Sequence, residues 1–170
     1  MGWTEEILRL GEADNWSLRL SIAEIDADAE FSSFPGIDRE LVLLQGAGLR
    51  LRFDQQQTIT LQQPGASHRF SGEQAVRGEL LNGPTRDFNV MWRRDHLQVD
   101  LQQRSLSGGL WLSGEDAAAW ALHLLSGSAS CELGGQRHQL QTGDSAWLRA
   151  GGGGLALEGH AEMLAIRISA

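Results

Sequence analysis

Residue types that bind metals or attack substrates are few and dispersed in this sequence. The two closest of its five histidines, His123 and His138, are 15 residues apart, so no H-x-H or H-x-x-x-H pair exists to converge on one ion. Strand pairing can still bring distant histidines together, but no local spacing predicts a metal site. The single cysteine, Cys131, has no basic residue beside it in SASCEL to lower its thiol pKa. We therefore expect no metal, no cofactor and no catalytic nucleophile.

A first polar cluster stands in FSSFPGIDR, residues 31–39, directly before the apolar run LVLL. Its Pro-Gly pair is a turn signal, and the apolar run reads as a buried strand. Asp38 and Arg39 can form an ion pair that serves only the turn. Alternatively, the turn brings Arg39, whose guanidinium is a planar fork of donors, to the mouth of a binding site beside Phe34.

A second polar cluster stands in NGPTRDFNVMW, residues 82–92. In an extended strand Asp87 and Asn89 share one face, with Phe88 on the other. Arg86 suits a carboxylate, and the Asn89 amide offers a donor and an acceptor. Next to apolar Met91, these groups would suit a small polar ligand in a largely apolar pocket. The alternative is an Arg86–Asp87 pair that only fastens the loop.

Composition and charge limit the classes of function. The chain has 170 residues, 41% hydrophobic and 21% charged, which suits one domain or two small halves. A net charge of -8 argues against a nucleic-acid surface, and no DNA-binding helix-turn-helix pattern is visible. No apolar run approaches the roughly 20 residues of a membrane span, and the first residues lack the basic and apolar regions of a secretory signal. We therefore expect a cytoplasmic protein without membrane or nucleic-acid partners.

Alternating apolar residues predict short strands along most of the chain, as in WSLRLSIAEID, residues 16–26. LVLLQGAGLRLRF predicts two strands around its Gly-Ala-Gly turn. Further strands are predicted in QTITLQ, HLQVDLQQ, GGLWLSG, ALHLLSGSASCEL, RHQLQTGDSAWLRAG and EMLAIRIS, at intervals of about ten residues. Helix signals are confined to GEDAAAWALHLL and GEQAVRGELL. The pattern predicts an all-β fold with very little helix.

The chain also repeats itself. LVLLQGAGLRL is echoed by LHLLSGSASCEL with Leu43 matching Leu124, and ITLQQPGASHRFSG is echoed by HQLQTGDSAWLRAG with Gly65 matching Gly143. The similar offsets, 81 and 78 residues, predict two halves, residues 1–90 and 91–170, each running strand, Gly turn, strand, turn, strand. TGDSAWLRAG also resembles the turn-strand-turn signature of cupins. We therefore expect a bicupin, with two jelly-roll-like β-barrels packed in one chain.

Three stretches together resemble the HutD/Ves family of bacterial cupin-like proteins. They are residues 16–51, the FSGE turn, and LLNGPTRDFNVMWRR, with FSSFPGIDR and NGPTRDFNVM the most distinctive pieces. GWTEEI resembles the end of the family's glycine-rich N-terminal motif. The family has a Trp and an Asn-Gly pair before it, which are not part of this sequence. The last third of the chain matches as cupin pattern only.

The resemblance implies a role in histidine utilisation without an established catalytic activity. The resemblance implies that the protein moderates that pathway by binding an intermediate such as urocanate or a formylated or formiminated glutamate. On this basis Arg39, Arg86 and Asn89 are predicted to bind a small anionic metabolite. Asp38 or Asp87 is predicted to orient an arginine, with Phe34 and Met91 as apolar neighbours. Two alternatives remain: an enzyme acting on a histidine-degradation intermediate, and a structural or interaction protein, for which a homodimer is possible.

Overall fold

In the computed structural model, which describes residues 2–54, 57–114, 119–149 and 154–170, every regular element is a β-strand. Buried apolar residues alternate with exposed ones in many of these segments, as in Leu49–Phe53, and glycines with positive φ occur at turns and inside some strands. The strands are β1 Thr4–Glu12, β2 Asn15–Ile25, β3 Ala29–Glu30, β4 Ile37–Gln45, β5 Leu49–Phe53, β6 Thr58–Leu61, β7 Ser67–Ser71, β8 Val76–Leu80, β9 Thr85–Arg93, β10 Gln98–Leu112, β11 Ala119–Leu133, β12 Gln136–Gln141, β13 Ser145–Arg149 and β14 Leu155–Ser169.

The chain divides into two compact units, Met1–Leu97 and Gln98–Ala170. In the first unit, one sheet has the order β1-β2-β9-β4-β7 and a second has the order β3-β8-β5-β6. Strand β4 supplies Leu41 and Leu43 to a core that also contains Leu49 and Leu51 of β5 and Phe70 of β7. This core fixes which face of β4, and hence of its neighbour β9, points inward.

The second unit is one sheet with the order β10-β14-β11-β12, in which β13 also pairs with β11. Its core holds Leu106 and Leu112 of β10, Leu122 and Leu124 of β11, and Met163 of β14. The Trp120 indole N–H donates to the carbonyl of Ser113, just beyond the end of β10, across 2.9 Å. Trp120 also lies in register with Arg167, and Arg167 with Asp100 near the start of β10. The sheet therefore curls until both ends of β10 lie near Trp120.

The two echoes of the sequence occupy matching places in the two units. In the first unit the Leu43 N–H donates to the Ala66 carbonyl, and the Gly65 N–H donates to the Leu43 carbonyl. In the second unit the Leu124 N–H donates to Asp144, and Gly143 donates to Leu124. The register of β4 against β9 shifts just after Leu43, and that of β11 against β14 shifts just after Leu124. The sequence repeat therefore corresponds to a repeated local structure.

Several strand predictions need correction. A Gly turn was expected inside ALHLLSGSASCEL, but β11 is continuous there: Gly127, with φ of 80°, pairs with Ala161 just beyond a bulge between Leu124 and Ser126. HLQVDLQQ and GGLWLSG, predicted as two strands, belong to the single strand β10. GEDAAAWALHLL is strand from Ala119 onwards, where β11 begins, so the strand predicted in ALHLLSGSASCEL is confirmed over the helix signal; residues 115–118 lie outside the described part. GEQAVRGELL forms a turn followed by β8.

The all-β prediction is confirmed for the described residues, which contain no helix and so none that could cross a membrane. Their pairings form three open sheets, and none of the recorded pairings closes a sheet into a barrel. The arrangement as two jelly-roll barrels therefore stays a prediction.

Candidate functional site

Three rows of side chains cross the central strands of the first unit on one face of the sheet. The registers of β9 with β2 and β4 align them because partners across an antiparallel pair point to the same side. The rows are Arg19–Met91–Arg39, Ser21–Asn89–Leu41 and Ala23–Asp87–Leu43. Polar and apolar side chains are thus interspersed on this face of the sheet.

A cleft of about 540 Å³ opens over the first two rows. Its floor is built from β2, β9 and β4, and the segment from Ala29 to Phe34 covers one side. Two phenylalanines of that segment, Phe31 and Phe34, line the cleft together with Arg39, Asn89 and Met91. Its size suits a small molecule, and its lining combines aromatic walls with a few convergent polar groups.

The Arg39 guanidinium is the main polar group of the cleft and is almost completely buried, with 8% of the residue exposed. It lies 5.2 Å from the ring centre of Phe31, 5.6 Å from that of Phe34 and 5.1 Å from that of Phe70. Each of these separations is within the range of a cation–π interaction. The aromatic rings therefore hold the guanidinium in place but cannot neutralise its charge.

The hydrogen bonds of Arg39 are long and incomplete. Nη2 donates to Oδ1 of Asn89 across 3.3 Å, Nη1 donates to the carbonyl of Ser32 across 3.4 Å, and the buried Nε has no partner. No carboxylate oxygen of the described residues lies within 4.0 Å of a nitrogen of Arg39, the limit for an ion pair. Burial, and secondarily the positive charge of Arg19, lowers the pKa of Arg39 from 12.5 to about 10. A buried cation without a counter-ion is costly, and an anion in the cleft would supply the missing partner.

Asn89 connects Arg39 to the middle row. Its residue is 7% exposed, and its Oδ1 accepts the hydrogen bond from Arg39, which leaves the amide NH₂ as a donor group on the cleft floor. Ser21, 2% exposed, lies beside it on β2 in the same row. A ligand carboxylate at Arg39 would therefore meet neutral donors on its other side.

Asp87 lies on the same face one row deeper and does not line the cleft. It is fully buried; Thr85 Oγ1 donates to its Oδ2 across 2.8 Å, while its Oδ1 has no partner. Its neighbours across the strands, Ala23 and Leu43, are apolar. Burial raises the pKa of Asp87 from 3.8 to about 7, and the Thr85 hydrogen bond only partly offsets this rise.

Asp38 and Arg86 lie away from the cleft. Asp38 is on the opposite face of β4 from Arg39, and its Oδ1 accepts a hydrogen bond from Nε of Arg94 across 2.9 Å. Arg94 also pairs with Glu73 across 2.7 Å, so Asp38 belongs to an exposed network at the turn. Arg86 points to the opposite face of β9 from Asn89, where its guanidinium lies 6.0 Å from the ring centre of Trp3.

The structure therefore brings together four of the seven residues predicted from sequence: Arg39, Asn89, Phe34 and Met91. Sequence reasoning did not select three other cleft residues, Arg19, Ser21 and Phe31. The alternation in WSLRLSIAEID already placed the first two opposite the apolar face of β2. The missing information was the pairing of β2 with β9, which puts that polar face beside Asn89.

Acidic side chains occupy the rim of the cleft, while the arginine lies inside it. Glu24 accepts a hydrogen bond from the Trp3 indole across 3.1 Å, and Glu30 pairs with Arg77 across 3.2 Å. Arg19, the second cation of the cleft, pairs with Glu6 across 3.1 Å. Anionic charge at the rim is therefore partly neutralised by neighbours, whereas Arg39 has no carboxylate partner among the described residues. No group of three or more His, Cys, Asp or Glu in the described ranges could hold a metal ion.

The all-β fold with an internal cleft belongs to the cupin-like class. A Cupin 2 conserved barrel domain protein from Leptotrichia buccalis superposes with a TM-score of 0.67 at 12% identity, over 99% of this chain and 89% of that one. At this identity the likeness concerns the fold alone.

The chain belongs to the HutD family, whose model matches residues 1–165. The structure of HutD from Pseudomonas fluorescens SBW25, obtained in a formate condition, superposes with a TM-score of 0.83 at 27% identity, over 99% of this chain and 88% of that one. A conserved protein of unknown function from Pseudomonas aeruginosa PAO1 superposes with a TM-score of 0.90 at 30% identity, over 99% of this chain and 90% of that one.

Two curated relatives have shorter alignments. A 21.2 kDa protein in the hutC 3′ region of Pseudomonas putida is 43% identical over 103 residues, or 59% of this chain and 54% of that protein. Protein Ves of Escherichia fergusonii is 42% identical over 78 residues, or 44% of this chain and 39% of that protein. The chain thus spans about half or less of the length of these two relatives, and the first links the family to the hut locus.

Proposed function

We propose that this protein binds a small carboxylate in the cleft of its first unit and acts as a non-catalytic regulator of histidine utilisation. The observation that carries the proposal is Arg39, a buried guanidinium that lines the cleft and has no carboxylate partner among the described residues. A ligand carboxylate there would compensate the buried cation for its lost hydration, which the described residues of the protein do not replace with a counter-ion.

Membership of the HutD family and the hut-locus relative indicate which carboxylates to test first. Urocanate and formyl- or formimino-glutamate are small anions whose size is compatible with a cleft of about 540 Å³. Aromatic rings of Phe31 and Phe34 favour a ligand with a flat or apolar portion next to its carboxylate. Asn89 supplies polar recognition of the remaining atoms.

The test is a calorimetric titration of the protein with urocanate, formylglutamate, formiminoglutamate, histidine and glutamate. We expect saturable binding of at least one pathway intermediate, and loss of that binding in Arg39→Gln, which removes the charge but keeps a polar side chain. Two arginines away from the cleft give matched controls: Arg86→Gln and Arg94→Gln should bind as the wild type does.

Three outcomes would contradict the proposal. Binding that survives Arg39→Gln but disappears in Arg86→Gln would move the site to the opposite face of β9. Turnover of a bound intermediate, detected by nuclear magnetic resonance of the ligand, would replace a binding protein by an enzyme. The absence of binding by all five compounds would refute the assignment to this pathway's carboxylates.

A further inference from the structure

The second unit contains a cleft in the place that corresponds to the cleft of the first. The repeat aligns β4 with β11, so their neighbours β9 and β14 also correspond, as do β2 and β10. The row Arg19–Met91–Arg39 of the first unit then corresponds to the row Asp100–Arg167–Trp120 of the second. One row deeper, Ser21 corresponds to Gln102, and two rows deeper Ala23 corresponds to Arg104.

This second cleft has a volume of about 350 Å³. It lies where β10 curls back, between Asp100, Gln102 and Arg104 near one end of the strand and Trp111 and Leu112 at the other. Ser113, Trp120 and Arg167 also line it. The corresponding position therefore remains open in the second unit but is lined by different residues.

Arg104 supplies fixed donors in this cleft. Its Nε and Nη2 both donate to Oε1 of Gln102, across 3.1 and 2.6 Å, and Nε2 of Gln102 donates to Asp100 across 2.6 Å. This chain of hydrogen bonds orients the guanidinium without neutralising it. No carboxylate of the described residues lies within 4.0 Å of Arg104, so its charge is available to an anion.

Two tryptophans supply the apolar part of the cleft. The Trp120 indole N–H donates to the Ser113 carbonyl, and this hydrogen bond fixes the orientation of the ring. Trp111 is 61% exposed, an unusual position for the largest apolar side chain. Its ring rests against Gly154, where an added Cβ would lie 2.7 Å from Cζ2 of Trp111. The glycine therefore leaves room for an exposed indole that is held in place rather than buried.

We propose that the second unit has its own binding site for a small anion with a flat apolar body, such as an aromatic carboxylate. The anionic group lies at Arg104, and the flat body packs between the rings of Trp111 and Trp120. This site is independent of the one at Arg39, because it uses no residue of the first unit.

The test uses benzoate as the probe and benzamide as its neutral counterpart, in a protein that also carries Arg39→Met so that the first cleft does not respond. The indole N–H resonances are followed by nuclear magnetic resonance, with Trp111→Phe to assign one of them. We expect the Trp111 and Trp120 resonances to shift and to saturate at millimolar benzoate. Benzamide should bind at least about tenfold more weakly.

Arg104→Met should weaken benzoate binding by about tenfold or more, whereas Arg137→Gln, on β12 of the same unit and paired with Glu158, should not. Unchanged indole dispersion shows that each variant is folded. Equal binding of benzoate and benzamide, unchanged affinity in Arg104→Met, or no shift of either indole would each overturn the proposal. Failure here leaves the calorimetric result at Arg39 unaffected, since that experiment uses the other cleft.

Discussion

Replacing Arg39 by methionine should stabilise the protein while it abolishes carboxylate binding in the first cleft. The lowering of the Arg39 pKa from 12.5 to about 10 corresponds to roughly 3 kcal/mol of unfavourable free energy for the cation in the folded state. The three aromatic contacts offset this by about 0.5–1 kcal/mol each. Methionine has a similar length, carries no charge and regains part of the aromatic attraction through its sulfur, about 0.3–1.5 kcal/mol per contact.

The net expectation for Arg39→Met is a rise of about 1–2 kcal/mol in the free energy of unfolding. Urea unfolding followed by tryptophan fluorescence at neutral pH measures it, with and without a bound carboxylate. A ligand of the first cleft should raise the urea midpoint of the wild type but not that of the variant. Arg39→Lys serves as the matched control, because it retains a cation but loses the planar fork, and it should be less stable than the methionine variant.

The reasoning fails if Arg39→Met lowers the free energy of unfolding by more than about 1 kcal/mol while ligand still shifts the midpoint. That result would make Arg39 a structural residue of the turn. Stabilisation together with loss of binding is the signature of a side chain that costs stability and is retained for a ligand.

Two further predictions concern positions elsewhere in the fold. Because burial raises the pKa of Asp87 to about 7, the folded state holds its proton more tightly than the unfolded state, whose carboxyl titrates near 3.8. The free energy of unfolding should therefore fall as the pH rises from about 4 to 7, by on the order of 4 kcal/mol, and Asp87→Asn should remove this fall. The pKa of His68 is lowered by burial and has the opposite effect on stability, but it cancels in the difference between wild type and variant; identical pH profiles would refute the assignment. Gly127→Ala should cost several kcal/mol, because φ is 80° and an added Cβ would lie 2.1 Å from the His160 carbonyl oxygen. Gly134→Ala, at φ of 57° with open space around it, should cost about 1–2 kcal/mol, and equal melting temperatures for the two variants would contradict a steric role of Gly127.

Much of the strand content was predictable because alternation is a local signal. The pattern in WSLRLSIAEID follows directly from a strand with one buried face, and β2 runs from Asn15 to Ile25. The sequence echo was predictable for a related reason: Leu43 and Leu124 make the same backbone hydrogen bonds, so similar residues are needed around both. The family resemblance was also confirmed, by the match of the HutD model to residues 1–165.

Strand length was harder to predict, since glycine has two roles in sheets. Gly46 ends β4, whereas Gly127 at the echoed position lies inside β11. Both have positive φ, so the local backbone requirement is the same. The difference arises from pairing, because β14 runs alongside β11 past the bulge as far as Cys131. Long-range pairing of this kind is not encoded in any short window of residues.

The composition of the cleft was predictable only in part, although residue parity carried more information than we used. Arg86 and Asn89 are three positions apart, and Asp38 and Arg39 are adjacent, so each pair must point to opposite faces of an extended strand. Parity alone separates Arg86 and Asp38 from the cleft. By contrast, the approach of Phe31 and Phe70 to Arg39 depends on how β3 and β7 meet the sheet, which only the fold provides.

The two units show how one backbone frame can hold different chemistry. The rows run across β2, β9 and β4 in the first unit and across β10, β14 and β11 in the second. A ligand in either cleft therefore meets side chains from three corresponding places, one on each strand. In the first unit the place on β4 holds Arg39, while in the second the place on β11 holds Trp120. The guanidinium donors then come from Arg104 on β10, at the position of Ala23 on β2. Exchanging an arginine and an apolar residue between two places keeps an arginine without a carboxylate partner among the described residues, and an aromatic wall, in each cleft. It changes the direction from which an anion is approached. The clefts should therefore differ in ligand preference even though the strands that form them correspond.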